Sequence, residues 1–236
     1  MNDIQKKLDD LVSQSDYFVA SPDTIEGMRK KGLPIKSTLT TYQDYLDKLF
    51  LKKRDKSKEL INKLPHMDDK IANATVQSLY DELRECFVLG IPGASITLSI
   101  ILLELALKYR LYEERIKENS KASWNSIEKL DFKETINILH EKMVITLNEK
   151  NKLHKFNSKI RNNYIHYNIK KIIRGLIIKE LPSVNIETGE VTINHNIEAT
   201  KYPFLWFSAK KVLDNKSMTS IVTFSISWVN KLLVRQ

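Results

Sequence analysis

Arg161 and His166 bracket the hexapeptide Arg-Asn-Asn-Tyr-Ile-His, inside a segment from Lys150 to Lys179 that carries nine lysines and arginines and no acid. An arginine presents a planar fork of donors that matches the oxygens of a phosphate. A histidine exchanges a proton near neutral pH. The chemistry such a pair can do is cleavage of an RNA backbone by its own 2′-hydroxyl. That reaction needs a base for the hydroxyl, an acid for the departing 5′-oxygen, and positive charge beside the phosphorane. Arg161 is the candidate for the charge, His166 for the proton, and Asn162, one turn before His166, for orienting its ring. No metal or other cofactor is called for. An arginine and a histidine at this spacing also occur on ordinary solvated helix faces, and spacing alone does not separate the two.

The segment has helical periodicity. Leu153, Phe156, Ile160, Tyr164 and Tyr167 fall on one stripe that should face a core, with Arg161 and His166 on its two flanks. Tyr164 is therefore expected to pack, with its hydroxyl within reach of the cleft. Ile165, Ile169, Ile172 and Leu176 form a second apolar row. A helix running to about residue 179 with two apolar faces would need two neighbours, and one of them could be the same helix of a second subunit. A two-fold pair of this kind would bring two copies of Arg161 and His166 into one cleft. Lys155, Lys159, Lys170, Lys171 and Arg174 are candidates for tracking an RNA backbone; a solvated face is the alternative. Glu104 is expected either to orient Arg161 or to pair with Lys108 at i,i+4.

The elements that must position these residues are helices. Six glycines and six prolines among 236 residues leave room for long ones. Helices are expected over residues 3–15, 23–31 and 41–63, forming a helical N-terminal extension of residues 1–66. A bundle of residues 67–236 should follow. Its helices are expected near 69–89, 92–118, 132–148, from between 151 and 158 to 179, and 218–233, with a short connector at Trp124. The second is apolar nearly all round and should be central. Residues 183–197 read as a β-hairpin insertion with its turn at Gly189. The aromatics of residues 202–207 are expected to seal the bundle, base stacking being the other use for them.

Composition narrows the class. With 42% hydrophobic and 28% charged residues the chain is globular. The stretch 91–107 is interrupted by Pro92, Gly93 and Glu104 and is shorter than a bilayer span of ~20 residues, so a core helix is expected and no membrane partner. The N-terminus lacks a secretory h-region. Cys86 is the single cysteine, excluding an internal disulfide and a thiolate metal cage. A reducing cytoplasm fits. His140 and His154 have no carboxylate or cysteine at ligand spacing, and Gly90-Ile-Pro-Gly93 lacks the lysine of a phosphate loop. The net charge of +9 points to a polyanionic partner such as RNA. Abundant Lys, Asn and Ile, as an AT-rich genome would impose, account for part of it.

Lys159-Ile-Arg-Asn-Asn-Tyr-Ile-His-Tyr167, late in a helical bundle, resembles the R-x4–6-H signature of the HEPN superfamily, and Asn162 matches the polar residue common after its arginine. The helices and Gly-Ile-Pro-Gly-Ala turn between Leu79 and Leu107 are similar to the early helices of such bundles. The resemblance spans roughly residues 70–235. It implies an all-α bundle, homodimerisation, and metal-independent endoribonuclease activity resting on Arg161, His166 and Asn162. It also implies a setting in toxin–antitoxin pairs or anti-phage defence, with an antitoxin or defence-system protein as partner. Some members of the family only bind RNA or protein. One toxin branch carries tyrosine two residues after the histidine, where this chain has Asn168.

Overall fold

A computed structural model of the protein describes residues 22–30, 41–184 and 191–234. The helix expected over residues 3–15 and the hairpin turn at Gly189 lie outside the described residues. The described chain is all-α with a small two-stranded antiparallel sheet, in two compact units. One unit contains α1 (Pro22–Lys30), residues 41–46 and the two strands; the other, from Asp47 to Leu176 and from Ala199 onward, is the bundle.

The bundle is built from α2 (Tyr42–Ile61) from Asp47 on, α3 (Ala74–Val88), α4 (Pro92–Glu118), α5 (Trp124–Glu128), α6 (Phe132–Glu141) and α7 (Leu147–Phe156). A π-helical turn (Asn157–Arg161), two short helices, α8 (Asn162–Ile165) and α9 (Ile169–Ile172), and the long α10 (Trp206–Leu233) complete it. As expected, α4 is central. Ile96, Ile100, Leu103, Leu107 and Leu111 have no exposed surface, and α3 and α10 pack along it. Its buried Ser95 and Ser99 satisfy themselves by donating to the carbonyls of Ile91 and Ile96, each at 2.8 Å. No helix among the described residues is long and apolar enough to cross a membrane.

Local signals explain most boundaries. The Asn73 side chain accepts from the Val76 amide at 3.0 Å, so α3 begins at Ala74 instead of residue 69. Gly90, at φ +62°, ends it with a Schellman cap: the Gly90 amide donates to Phe87 O and the Ile91 amide to Cys86 O. Asp131 with Glu134, and Thr146 with Glu149, form reciprocal capping boxes at the starts of α6 and α7. The helix expected over residues 132–148 therefore ends at Glu141, and the next one starts at Leu147, before the expected 151–158. Met143 separates them in the left-handed region (φ +57°), with the Met143 and Val144 amides repeating the Schellman pattern on His140 O and Leu139 O.

Two further expectations are corrected. The last helix starts at Trp206, twelve residues before Met218. Its apolar periodicity is masked there because Lys210 and Asp214 occupy buried positions as an ion pair. The aromatic segment does not seal the bundle: Leu205 is buried, but Tyr202, Phe204 and Phe207 are exposed.

In the other unit, β1 (Ile177–Val184) and β2 (Val191–Glu198) pair antiparallel, from Ile177 opposite Glu198 to Val184 opposite Val191, with Asn196 of β2 at φ +53°. The hairpin thus begins six residues earlier than expected. Pro182 is tolerated because a two-stranded sheet has only edges.

Candidate active site at the broken helix

The helix expected to run unbroken to residue 179 is interrupted twice at the motif. At Asn157–Arg161 it widens into a π turn, in which the Asn162 amide donates to Asn157 O, five residues back. Such single π turns occur disproportionately at functional sites. At His166 the helix stops. The Tyr167 amide donates to Tyr164 O (3.1 Å) and the Asn168 amide to Asn163 O (2.8 Å), a Schellman cap with Tyr167 at φ +48°. Glycine usually fills that position, and a tyrosine there is strained by about 1–2 kcal/mol. The Ile165–Leu176 row is consequently not one helical face; Ile165 and Ile172 pack against the bundle core.

Arg161, at the end of the π turn, reaches α4. Its Nη2 donates to Glu104 Oε2 at 3.0 Å and its Nη1 to Asn162 Oδ1 at 3.1 Å. The guanidinium carbon lies 5.7 Å from the centroid of the buried Phe132 ring, and Nε is buried without a partner. The other Glu104 oxygen lies 3.4 Å from Lys108 Nζ, which donates to Glu128 O at 3.0 Å. The two uses foreseen for Glu104 are thus realised together. One carboxylate faces two cations, all three side chains mostly buried, so the cluster keeps a net positive charge.

His166 is exposed, and its ring makes no hydrogen bond or ion pair among the described residues. Asn162, expected to orient that ring, instead gives its carboxamide oxygen to Arg161. Tyr164 is buried, as the stripe predicts, whereas Tyr167 on the same stripe is exposed because the cap takes it out of the helix; the Tyr164 hydroxyl donates to Asp214 Oδ1 at 2.8 Å. Burial first, then the hydrogen bond and charge of Asp214, push that hydroxyl far above the ordinary tyrosine range. The other Asp214 oxygen pairs with Lys210, whose ammonium lies 5.1 Å from the Tyr164 ring centroid and 5.5 Å from that of Tyr167. A Cβ added to Gly93 would stand 3.4 Å from Asp214 Oδ2, so the carboxylate also lies close to the positive N-terminal end of α4. Lys210 and Asp214 were missed from sequence; extending the α10 periodicity toward Trp206 would have placed both on its buried face.

The structure therefore gathers Arg161, Asn162, Glu104, Lys108 and Phe132 into one cluster and Tyr164, Tyr167, Lys210 and Asp214 into another. Among the described residues no hydrogen bond or ion pair joins His166 to Arg161. Lys155, Lys159, Lys171 and Arg174 are exposed; Lys170 is exposed too, with its ammonium 5.0 Å from the Trp206 ring centroid. His140 and His154 serve the fold, bonding Ile145 O and Asn137 Oδ1 at 3.1 Å each. Among the described residues no three His, Cys, Asp or Glu side chains converge as a metal site would require. A groove of about 880 Å³ lined by Arg110, Thr146, Glu149 and Lys231 contains no motif residue.

No protein-family model matches the sequence, and neither a curated protein nor a solved structure is significantly similar to the chain.

Proposed function

We propose that the protein is a metal-independent endoribonuclease of HEPN type. The observation that carries this reading is the π-bulged, prematurely capped helix, which presents a clamped arginine and an exposed histidine on an acid-free segment. Arginine has five N–H donors. Glu104 and Asn162 occupy two and Nε is buried, which leaves two for a phosphate. Arg161 holds the phosphate and stabilises the phosphorane. His166 takes the 2′-hydroxyl proton as the 2′-oxygen attacks phosphorus, or delivers a proton to the departing 5′-oxygen. The P–O5′ bond breaks, leaving a 2′,3′-cyclic phosphate and a 5′-hydroxyl.

Base and acid are both needed, and each chain brings one histidine to the motif. A homodimer that pairs two His166 rings supplies the second, and sedimentation at micromolar concentration tests for it. The resemblance adds a setting in anti-phage defence or a toxin system, in the cytoplasm, with an antitoxin or defence protein as partner.

A second reading, a non-catalytic module that binds RNA or protein, is favoured by one observation: the Arg161 fork is already partly filled by Glu104 and Asn162. Incubation of labelled RNA with the wild type, Arg161→Ala and His166→Ala in EDTA separates the two. The nuclease reading expects cleavage by the wild type and a loss of at least ~10²-fold in His166→Ala. Cleavage by His166→Ala at the wild-type rate refutes it. Binding without cleavage, weakened by Arg161→Ala and unaffected by His166→Ala, establishes the module.

A further inference from the structure

Four aromatic rings stand out in water where the His166 turn meets the start of α10. Phe204 is 69% exposed, Phe207 66%, Tyr167 57% and Tyr202 42%. A soluble domain ordinarily buries rings of this size, and clustered exposed apolar surface marks a binding site. Two contacts tie the region together. Lys170 Nζ sits over the Trp206 ring at 5.0 Å, and Lys210 Nζ over the Tyr167 ring at 5.5 Å. Lys210 follows Trp206 by one helical turn, about 6 Å along α10. The Trp206 indole is itself held by its Nε1, which donates to Thr200 O at 3.2 Å. Tyr202 and Phe204 meet edge-on, their centroids 5.9 Å apart, leaving ring surface open to a flat ligand.

The segments that carry the rings are basic, and Asp214 beside them is buried and paired with Lys210. No acid occurs from Lys150 to Lys179, and from Ala199 to Leu213 there are three lysines and no acid. Lys170, Lys171 and Arg174 are exposed on the segment that carries Tyr167. Flat apolar rings interleaved with cations suit a ligand whose own flat rings hang from an anionic backbone. Every base has a face that stacks on an aromatic ring, so long as it is not already stacked in a duplex.

We infer that the exposed rings of Tyr167, Tyr202, Phe204 and Phe207, with Lys170, Lys171 and Arg174, form a docking surface for single-stranded RNA, the rings stacking bases and the cations following phosphates. The choice of RNA over other single strands rests on the endoribonuclease reading of the adjoining motif. The stacking itself does not depend on cleavage.

The test is fluorescence anisotropy of the full chain with a short 5′-labelled oligouridylate bearing 2′-O-methyl sugars, which prevent cleavage, beside a duplex of the same length. Phe204→Ala/Phe207→Ala should weaken single-strand binding by about tenfold or more, leave duplex binding unchanged, and be rescued by Phe204→Trp/Phe207→Trp. Both rings are exposed, so circular dichroism and the melting temperature should stay at wild-type values. Lys171→Ala/Arg174→Ala should shallow the dependence of log affinity on log salt by roughly 0.7 per charge removed. Equal single-strand affinity in wild type and the ring variant overturns the surface, as does equal wild-type affinity for strand and duplex. A wild-type dimer that the ring variant dissociates also overturns it, assigning the rings to a subunit interface. Ring-dependent binding without cleavage of natural RNA keeps the surface and removes the nuclease. His166-dependent cleavage with ring-independent binding does the reverse.

Discussion

Glu104 and Arg161, 57 residues apart in sequence, form a 3.0 Å charge-assisted hydrogen bond between the central helix and the π turn. Both side chains are about one-fifth exposed, between surface pairs worth up to about 1 kcal/mol and buried pairs whose disruption costs about 3–5. Glu104→Gln should lower stability by about 1–2 kcal/mol. It should also release Arg161 from its orientation, so any motif-dependent RNA cleavage or binding should fall by about tenfold or more. Urea denaturation with a parallel RNA assay checks both; unchanged RNA behaviour in a folded variant would show that Glu104 serves only the fold.

The Tyr164 hydroxyl satisfies one oxygen of the buried Asp214 carboxylate. Tyr164→Phe leaves that oxygen short of a donor and should cost about 1–3 kcal/mol at neutral pH. Urea midpoints of the wild type and variant give the difference directly.

The same contact has an alkaline signature. Unfolded, the Tyr164 hydroxyl ionises near its ordinary value of 10.0; folded, it is held well above that. This contribution is complete below pH 10 and shrinks as pH rises toward the folded value, because only the unfolded chain loses the proton. Wild-type stability should decline above pH 10, and Tyr164→Phe should flatten that decline. Parallel slopes in the two proteins would count against the assignment.

Met143 holds a left-handed cap position at φ +57° and is 92% exposed, so its side chain contributes almost no packing. Met143→Gly should stabilise the protein by about 1 kcal/mol, raising the melting temperature by about 2–4 °C. Tyr167→Gly relieves similar strain but removes the ring over Lys210, and should gain less. Differential scanning calorimetry compares the pair. A larger gain at Tyr167 would mean that its ring contributes nothing to the fold.

Much of the architecture was readable from local chemistry. The central helix announced itself by apolar residues nearly all round and by Pro92 at its first turn, and its limits came out at Pro92 and Glu118. Gly90 signalled the end of α3, because glycine enters the left-handed region without cost. Thr146 and Glu149 mark the start of α7 by their capping-box spacing. The breaks at Met143 and Tyr167 had no such mark. There the ends of α6 and α8 are imposed on residues that would continue a helix, by caps whose strain the surrounding packing must offset.

The candidate site divides along the same line. Residue type, spacing and charge were enough to single out Arg161 and His166 and to put Tyr164 on a buried face, since helical periodicity is local. The partners were decided only in three dimensions: Glu104 for Arg161, Asp214 for Tyr164, and the Lys210 ammonium over Tyr167. Each lies tens of residues away. A buried charge is stable only where a distant element supplies its counter-charge, and no local pattern records which one will.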